Sequence, residues 1–198
     1  MMTSWTGLEG IALGGEYELL QWLGESGPGG SFFLTAFGPE RRKAVLKVVT
    51  GSATAGEEQL DLWRWIARLS HPHLLRLLDC GRDTAAGEAV LYAVFEYPDD
   101  SLATAVEQGV LSEPETRDVL AAAAGALDYI HSQGLVHTAV DPQHVVAVGN
   151  TIKLASDTLR PPSREYTTAG DVQSLGALVY QLLTRRRLDP GRRPDLST

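Results

Sequence analysis

The sequence predicts an α+β fold in which a β-rich first half is followed by a mainly helical second half. Short runs of β-branched and aromatic residues, separated by Gly- and Pro-rich turns, fill residues 17–50. Apolar residues recur at helical spacing from about residue 112 onward. The chain has 198 residues, of which 43% are hydrophobic and 21% charged, as is typical of a globular protein with a buried core. These three observations exclude disordered, collagen-like and coiled-coil classes.

The first half is predicted to be a five-stranded antiparallel sheet with one helix, covering residues 17–100 after an N-terminal extension of residues 1–16. The helix is expected over residues 57–69, where Leu62, Ile66 and Leu69 recur at helical spacing before Pro72. The strands are expected at residues 17–23, 31–37, 43–49, 74–80 and 89–97.

Residues 101–198 are predicted to be mainly helical. Ser112 and Glu115 have the spacing of a capping box, which begins a helix that ends before Gly134. The dipeptide Gly149-Asn150 predicts a tight turn between strands at 144–148 and 151–155, and a last helix is expected at about 170–185. The side chains predicted to face inward on the two helices are Val119, Leu120, Ala123, Leu127 and Ile130, then Val172, Leu175, Val179, Leu182 and Leu183.

Charge and cysteine content limit the partners and the compartment. Lys and Arg number 17 against 25 Asp and Glu, and the net charge of −8 argues against nucleic acid or an anionic membrane as a partner. The single cysteine, Cys80, cannot form an internal disulfide, so a cytoplasmic location is expected. We expect neither a signal peptide nor a membrane span, since the longest apolar stretch is residues 119–127. Favourable charge at the end of the last helix partly explains an arginine cluster, which comprises Arg185, Arg186, Arg187, Arg192 and Arg193.

Several strings along residues 17–197 occur in an order that points to one family. WLGESGPGGSFFLTAF is followed by AVLKVV, RLSHPHLLRLLDCG, LYAVFEY, GLVHTAVDPQHVVAVGNTIKLAS, GDVQSLGALVYQLLT and DPGRRPDLS. This order resembles the protein kinases, most closely the divergent Ser/Thr kinase-like domains of bacteria. The resemblance implies a two-lobed kinase-like fold with a β-rich N-lobe and a truncated, mainly helical C-lobe.

The resemblance also assigns positions to a nucleotide site in the first half. It places Lys47 at the phosphate-binding lysine and Phe95 at the gatekeeper. Leu62 stands where the glutamate partner of that lysine belongs. Glu58, one turn earlier, is the candidate to replace that glutamate. The remaining nucleotide positions are Gly24, Ser26 and Gly29 or Gly30 in the glycine-rich loop, and Glu96 and Tyr97 in the hinge.

Most of the catalytic positions implied by the resemblance carry other residue types. Ala139 stands where the catalytic base belongs, and loss of a positioned base costs roughly 10²–10⁴ in rate. His137 is kept and is expected to pack structurally, while Asp171 is expected to bind backbone amides of the neighbouring loop. The other replacements are Asp141 for the phosphate-contacting lysine, His144 for the metal-binding asparagine, and Ser156-Asp157-Thr158 for the DFG motif. The segment between Asp157 and Thr167 is also too short for a full activation segment.

These replacements predict a pseudokinase domain that binds or regulates a protein partner, or attached domains of a larger signalling protein, without transferring phosphate. Neither ATP with Mg²⁺ nor another metal is expected as a cofactor. The alternative is a divergent Ser/Thr kinase or nucleotide-binding switch that uses Lys47, Asp141 and Asp157 in new roles.

Overall fold

The computed structural model describes residues 5–27, 29–51, 53–109 and 111–186. Within this part of the chain, the contacts separate two compact units. The first unit comprises the residues up to 70 together with 76–97, and the second comprises 71–75 together with the residues from 98 onward. The first unit is dominated by β-sheet and the second by helices, which confirms the predicted α+β fold class.

The first unit contains the predicted five-stranded antiparallel sheet and its helix. The strand order is β3-β4-β5-β7-β6, and every neighbouring pair is antiparallel. Residues in β4 and β5 alternate between buried and half-buried, as expected for strands with two different faces. The elements are β3 (Gln21–Glu25), β4 (Gly30–Phe37), β5 (Arg42–Thr50), α1 (Ala53–Ile66), β6 (Leu77–Ala85) and β7 (Glu88–Glu96).

Several predicted boundaries in this unit are wrong. The strand expected at 17–23 is split into Tyr17–Glu18, which lies outside the five-stranded sheet, and β3, and the helix begins at Ala53 instead of residue 57. The strand expected at 74–80 begins only at Leu77, because Leu74 instead forms a bridge with Leu154 in the second unit. The helix ends at Ile66, and Leu69 closes a turn by donating its N–H to the Ile66 carbonyl.

The N-terminal residues complete the core of the first unit. A 3-10 helix (Trp5–Leu8) leads into a small hairpin of β1 (Ala12–Leu13) and β2 (Tyr17–Glu18). The hairpin is anchored by two hydrogen bonds to β6, from Gly14 N–H to Asp83 (2.7 Å) and from Tyr17 Oη to Asp79 (2.6 Å). The core that these residues share with the sheet contains Leu8, Leu13, Tyr17, Leu19, Phe33, Ala44, Leu46, Val48, Ala85, Val90, Tyr92 and Val94.

The second unit places three helices beside a small antiparallel sheet of order β10-β9-β8. Ser112 and Glu115 form the predicted capping box at the start of α3, and the predicted turn at Gly149-Asn150 joins β9 to β10. The elements are β8 (Asp100–Ser101), α2 (Leu102–Gln108), α3 (Glu113–Ser132), β9 (Val145–Val148), β10 (Thr151–Leu154) and α4 (Thr168–Thr184).

Three helix positions predicted to face inward are exposed. Leu120 on α3 is 38% exposed, and Val172 and Leu183 on α4 are 60% and 46% exposed. The buried residues of α4 lie instead at spacings of four, three and four along one stripe: Asp171, Leu175, Leu178 and Leu182. The prediction placed the apolar residues on one broad face, whereas the unit buries only this narrower stripe.

The C-terminal arginine cluster is only partly described. Arg185 and Arg186 are exposed, and Arg185 ends α4 in the left-handed conformation with φ 58°. Arg187, Arg192, Arg193 and the DPGRRPDLS string lie outside the described residues. None of the described helices is long and apolar enough to cross a membrane.

Candidate functional site

The glycine-rich segment is a tight hairpin between β3 and β4. Ser26 N–H donates to the Gly30 carbonyl at 3.1 Å, and Gly30 N–H donates to the Gly27 carbonyl at 3.2 Å. Gly24 and Gly29 adopt positive φ values of 138° and 75°, and a Cβ on Gly30 would collide with Ser26 Oγ. Two of the backbone amides at this loop are therefore used within the hairpin itself.

Lys47 lies in the middle of β5, paired across the ladder with Phe32 on β4 and Ala93 on β7. Its Nζ is 5.3 Å from the centroid of the Phe32 ring, which is cation–π distance. Leu62 on α1 is half-buried, while Glu58 is exposed. The lysine predicted from AVLKVV thus lies against an aromatic ring, and this contact carried no sequence signal.

The hinge segment at the end of β7 has few backbone donors. Phe95 is only 2% exposed, and Glu96 N–H already donates to the Arg76 carbonyl at 3.0 Å. The Tyr97 ring lies 5.4 Å from Lys43 Nζ, and the next residue, Pro98, has no N–H. Of the three residues from 96 to 98, Tyr97 alone is left to offer a backbone N–H.

In the second unit, Asp171 organises the loop that precedes β9. Its carboxylate accepts hydrogen bonds from the N–H groups of His137 (2.8 Å) and Thr138 (3.0 Å) and contacts His131 Nε2 at 2.8 Å. The side chain is almost completely buried, in the first turn of α4. This confirms the predicted role of Asp171 in binding backbone amides, and the contact with His131, 40 residues away, carried no sequence signal.

His137, which was expected to pack structurally, is fully buried. Its Nε2 donates to the Ala155 carbonyl at 2.7 Å, so Nδ1 is the acceptor that faces Ala139 N–H at 3.3 Å. Burial lowers the pKa of His137 to about 4, although the Ala155 carbonyl favours the protonated ring. The imidazole is therefore neutral, with both nitrogens engaged.

Two threonines join this loop to the segment after β10. Thr138 Oγ1 donates to the Thr158 carbonyl at 3.2 Å, and Thr158 Oγ1 donates to the His137 carbonyl at 2.6 Å. Thr138 has a positive φ of 65°, which is an unfavourable conformation for a β-branched residue. Side-chain bonds between the two segments hold this strained backbone in place.

Asp141 and His144 bind each other. Asp141 Oδ1 lies 2.8 Å from His144 Nδ1 and also accepts the backbone N–H groups of Gln143 (2.8 Å) and His144 (3.2 Å). Partial burial favours the neutral acid, but the His144 ring and the two amides outweigh it and lower the pKa of Asp141 below its usual value. The spacing of three residues could have indicated this pair from the sequence.

Ser156 and Asp157 follow β10 directly. Ser156 is fully buried, and its hydroxyl has no hydrogen-bond partner among the described residues. Asp157 is half-buried. Across the described part of the chain, no group of three or more His, Cys, Asp or Glu side chains is arranged to hold a metal ion.

Comparison with solved structures supports the fold. The kinase domain of PknI from Mycobacterium tuberculosis matches in two crystal structures, with TM-scores of 0.72 and 0.70 and sequence identities of 26% and 27%. The matches cover 94% and 96% of this chain, and 81% and 80% of the PknI chains. The kinase-like fold predicted from the motifs is confirmed.

Comparison with sequences gives the same family. A serine/threonine-protein kinase of Corynebacterium efficiens, drp72, is 27% identical over 88% of this chain and 40% of its own length. The DNA damage-responsive serine/threonine-protein kinase RqkA of Deinococcus radiodurans is 32% identical over 69% of this chain and 21% of its own length. The chain therefore spans less than half the length of these relatives. Residues 17–157 match the model of the protein kinase domain, and the chain belongs to the protein kinase family.

Proposed function

We propose that this chain is a pseudokinase domain, which acts as a binding or regulatory module of a larger signalling protein and does not transfer phosphate. The observation that carries the proposal is the pair formed by Asp141 and His144 at 2.8 Å. Two positions that serve phosphate and metal in an active kinase are here occupied by side chains that satisfy each other.

The donors at the two metal positions do not fit Mg²⁺. This ion takes oxygen ligands in near-octahedral geometry, mostly carboxylates, phosphates and water. Ser156 supplies a neutral, fully buried hydroxyl, and His144 supplies an imidazole that is already bound to Asp141. Neither side chain offers the negative charge that would offset the ion's desolvation.

The side chains that usually accept the proton and bind the phosphate are replaced as well. The methyl side chain of Ala139 cannot accept a proton from a substrate hydroxyl. Asp141 is ionised at neutral pH, since its pKa is lowered, and a carboxylate repels phosphate where a lysine would attract it.

The first unit supports the same proposal. The ring of Phe32 lies against Lys47, and the amides of Ser26 and Gly30 are bonded within their own hairpin. These groups would have to leave their present partners before binding a triphosphate, at a cost in affinity.

The second candidate is a divergent Ser/Thr kinase or nucleotide-binding switch. Two observations favour it: Lys47 keeps its place at the centre of the sheet, and Asp157 is half-buried directly beside the position of the replaced aspartate. In that case Lys47, Asp141 and Asp157 would take over nucleotide binding in a new arrangement.

The proposal also covers the domains or partners beside which this chain works. Because the relatives named above are at least twice as long as the matched part of this chain, we infer that it works next to further domains or a protein partner. The net charge of −8 argues against nucleic acid and anionic membranes as partners, and the single cysteine is in keeping with the cytoplasm.

Nucleotide-dependent melting tests the proposal and separates it from the alternative. A ligand that binds only the folded state adds about 2.7 kcal/mol at a hundredfold excess over Kd. Each kcal/mol raises the melting temperature of a domain of this size by about 2–4 °C. A site of micromolar affinity would therefore shift melting by several degrees at millimolar ATP with Mg²⁺, whereas we expect no shift beyond error.

Adenosine, ATP and ATP with Mg²⁺ should be compared in one melting series, with Lys47→Ala as the control. A rise with adenosine alone agrees with a pocket that binds the base without metal. A rise that depends on both Mg²⁺ and Lys47 would contradict the proposal and support the nucleotide switch.

A further inference from the structure

The sheet of the first unit has two unlike faces, and Lys47 lies on the less buried one. On the other face, the side chains of Phe33 and Leu46 are completely buried in the core of the unit. Phe32 and Lys47 alternate with these residues along β4 and β5, and both are half-buried. Phe32 and Lys47 therefore share the face of the sheet that a ligand of Lys47 would approach.

Phe32 and Lys47 are direct neighbours across the ladder. Opposing residues of antiparallel strands place their side chains side by side on one face, with Cβ atoms about 4.5–5.5 Å apart. The 5.3 Å between Lys47 Nζ and the centroid of the Phe32 ring shows that the ring reaches the ammonium group itself. The register of β4 against β5 thus brings the two side chains together.

The strand on the other side of Phe32 offers its ring no side chain to contact. Gly24 on β3 is the cross-strand partner there, next to the irregularity in register between Trp22 and Gly24. Apart from the chain neighbours of Gly24, no atom of the described residues lies within 4 Å of the position that a Cβ would take. Of the two cross-strand partners of Phe32, Lys47 alone has a side chain for the ring to contact.

The backbone that carries Phe32 is fixed by the preceding residue. Ser31 is completely buried, and its hydroxyl accepts a hydrogen bond from Trp22 Nε1 at 2.6 Å and donates one to the Gly24 carbonyl at 2.8 Å. These bonds connect the start of β4 to β3. A backbone shift that moved Phe32 away from Lys47 would have to break both of them.

We propose that the Phe32 ring is a built-in cover for the Lys47 ammonium group, and that it keeps a purine nucleoside triphosphate from binding this face of the sheet. The inference rests on the proposed function, because it names the residue that excludes nucleotide from that same site. Without the ring, Lys47 would contact the phosphates. Leu34 and Val45, which pair with each other two residues along the same half-buried face, would contact the base.

The cover lowers the affinity of the wild type for a nucleotide. Before ATP can bind Lys47, the ring has to give up its contact with the ammonium group and take a more exposed position in water. Such a rearrangement is subtracted from the binding free energy. Phe32→Val removes the ring, keeps a small apolar side chain, and leaves Lys47 in place.

Isothermal titration calorimetry with ATP in buffer containing EDTA tests the cover. Metal-free ATP is the probe, because the two metal positions do not fit Mg²⁺. Phe32→Val should bind ATP at least tenfold more tightly than the wild type. The double variant Phe32→Val/Lys47→Ala should return to the weak binding of the wild type, since the phosphates then have no ammonium group to contact.

The matched control is Phe37→Val, the same substitution on the same strand. Phe37 is half-buried like Phe32, but it packs against the core on the other face and stacks on Tyr17 at 6.3 Å between ring centroids. Its affinity for ATP should stay within twofold of the wild type. Phe32→Leu, which loses the ring but keeps more apolar volume, is the second test variant and should also bind more tightly than the wild type. Melting temperatures show that each variant is folded.

Equal binding of ATP by the wild type and both Phe32 variants would overturn the role of the ring and leave the proposed function standing. Tighter binding by the wild type than by Phe32→Val would also overturn it, because the ring would then be a surface on which the base stacks. Phosphate transfer by the wild type would contradict the proposed function, whereas a Lys47-dependent gain of metal-free binding in Phe32→Val would still establish the cover.

Discussion

At the scale of single residues, the loop around residue 137 is arranged for rigidity. Asp171 holds two backbone amides of this loop, and His137 connects it to the Ala155 carbonyl. Burying a polar carboxyl group is costly unless hydrogen bonds satisfy it, and here the two amides and the His131 ring surround it. These residues hold the backbone of the loop that carries Ala139 in place.

The buried imidazole of His137 makes stability depend on pH. Its pKa is about 4 in the folded protein and about 6.5 when unfolded, so the unfolded chain binds more protons between these values. The stabilisation is complete above pH 6.5 and is lost as the pH falls toward 4. Between pH 7 and pH 5, the wild type should lose about 2 kcal/mol more unfolding free energy than His137→Gln, which cannot titrate.

Urea unfolding of both proteins at the two pH values measures this difference. A parallel loss of stability in the two proteins would show that His137 titrates normally and is not held neutral by burial.

Residue identities could be predicted better than residue contacts. The roles of Asp171 and His137 followed from the motif, because the motif fixes their place in the loop. The ring of Phe32 beside Lys47 could not be predicted in this way, since it depends on the register of β4 against β5. The unpartnered hydroxyl of Ser156 likewise depends on packing around the end of β10.

At the scale of elements, the N-terminal hairpin is part of the sheet unit. Leu13 is completely buried in the core shared with β4, β5 and β7, and the hairpin binds two carboxylates of β6. It therefore packs along a strand at the edge of the sheet, where unpaired backbone groups would otherwise be exposed.

Truncating the Leu13 side chain should destabilise the protein. Leu13→Ala removes a completely buried side chain and should lower the unfolding free energy by about 2–5 kcal/mol. Leu20→Ala is the matched control, because Leu20 is 43% exposed and its loss should cost less than about 1 kcal/mol. Denaturant midpoints of the two variants give the comparison, and similar small losses would mean that the hairpin is dispensable.

Local signals predicted some elements accurately. The capping box at Ser112 and the turn at Gly149-Asn150 are set by a few neighbouring residues, and both occur as expected. The inward faces of α3 and α4 were less predictable, because Leu120, Val172 and Leu183 are apolar but face away from the packed stripe. The role of residues 5–18 could not be predicted from neighbouring residues, since the β6 carboxylates that bind them lie more than 60 residues away.

At the scale of the whole molecule, the chain has the kinase-like fold, and both units hold residues that the kinase motifs identify. The first unit keeps Lys47 but places Phe32 against it. The second holds His137 and Asp171, has Ala139 at the position that the resemblance assigns to the base, and pairs Asp141 with His144. The fold was predictable because the order of the kinase motifs is kept along the chain.

Phosphate transfer is the most direct measurement of the central claim. The protein should be incubated with labelled ATP, either Mg²⁺ or Mn²⁺, and generic protein substrates, beside a Lys47→Ala control. Because Ala139, His144 and Ser156 stand at the positions that the resemblance assigns to the base and the two metal ligands, we expect the wild type to transfer no more phosphate than the control. Transfer by the wild type that disappears in Lys47→Ala would contradict the pseudokinase account and establish a divergent kinase.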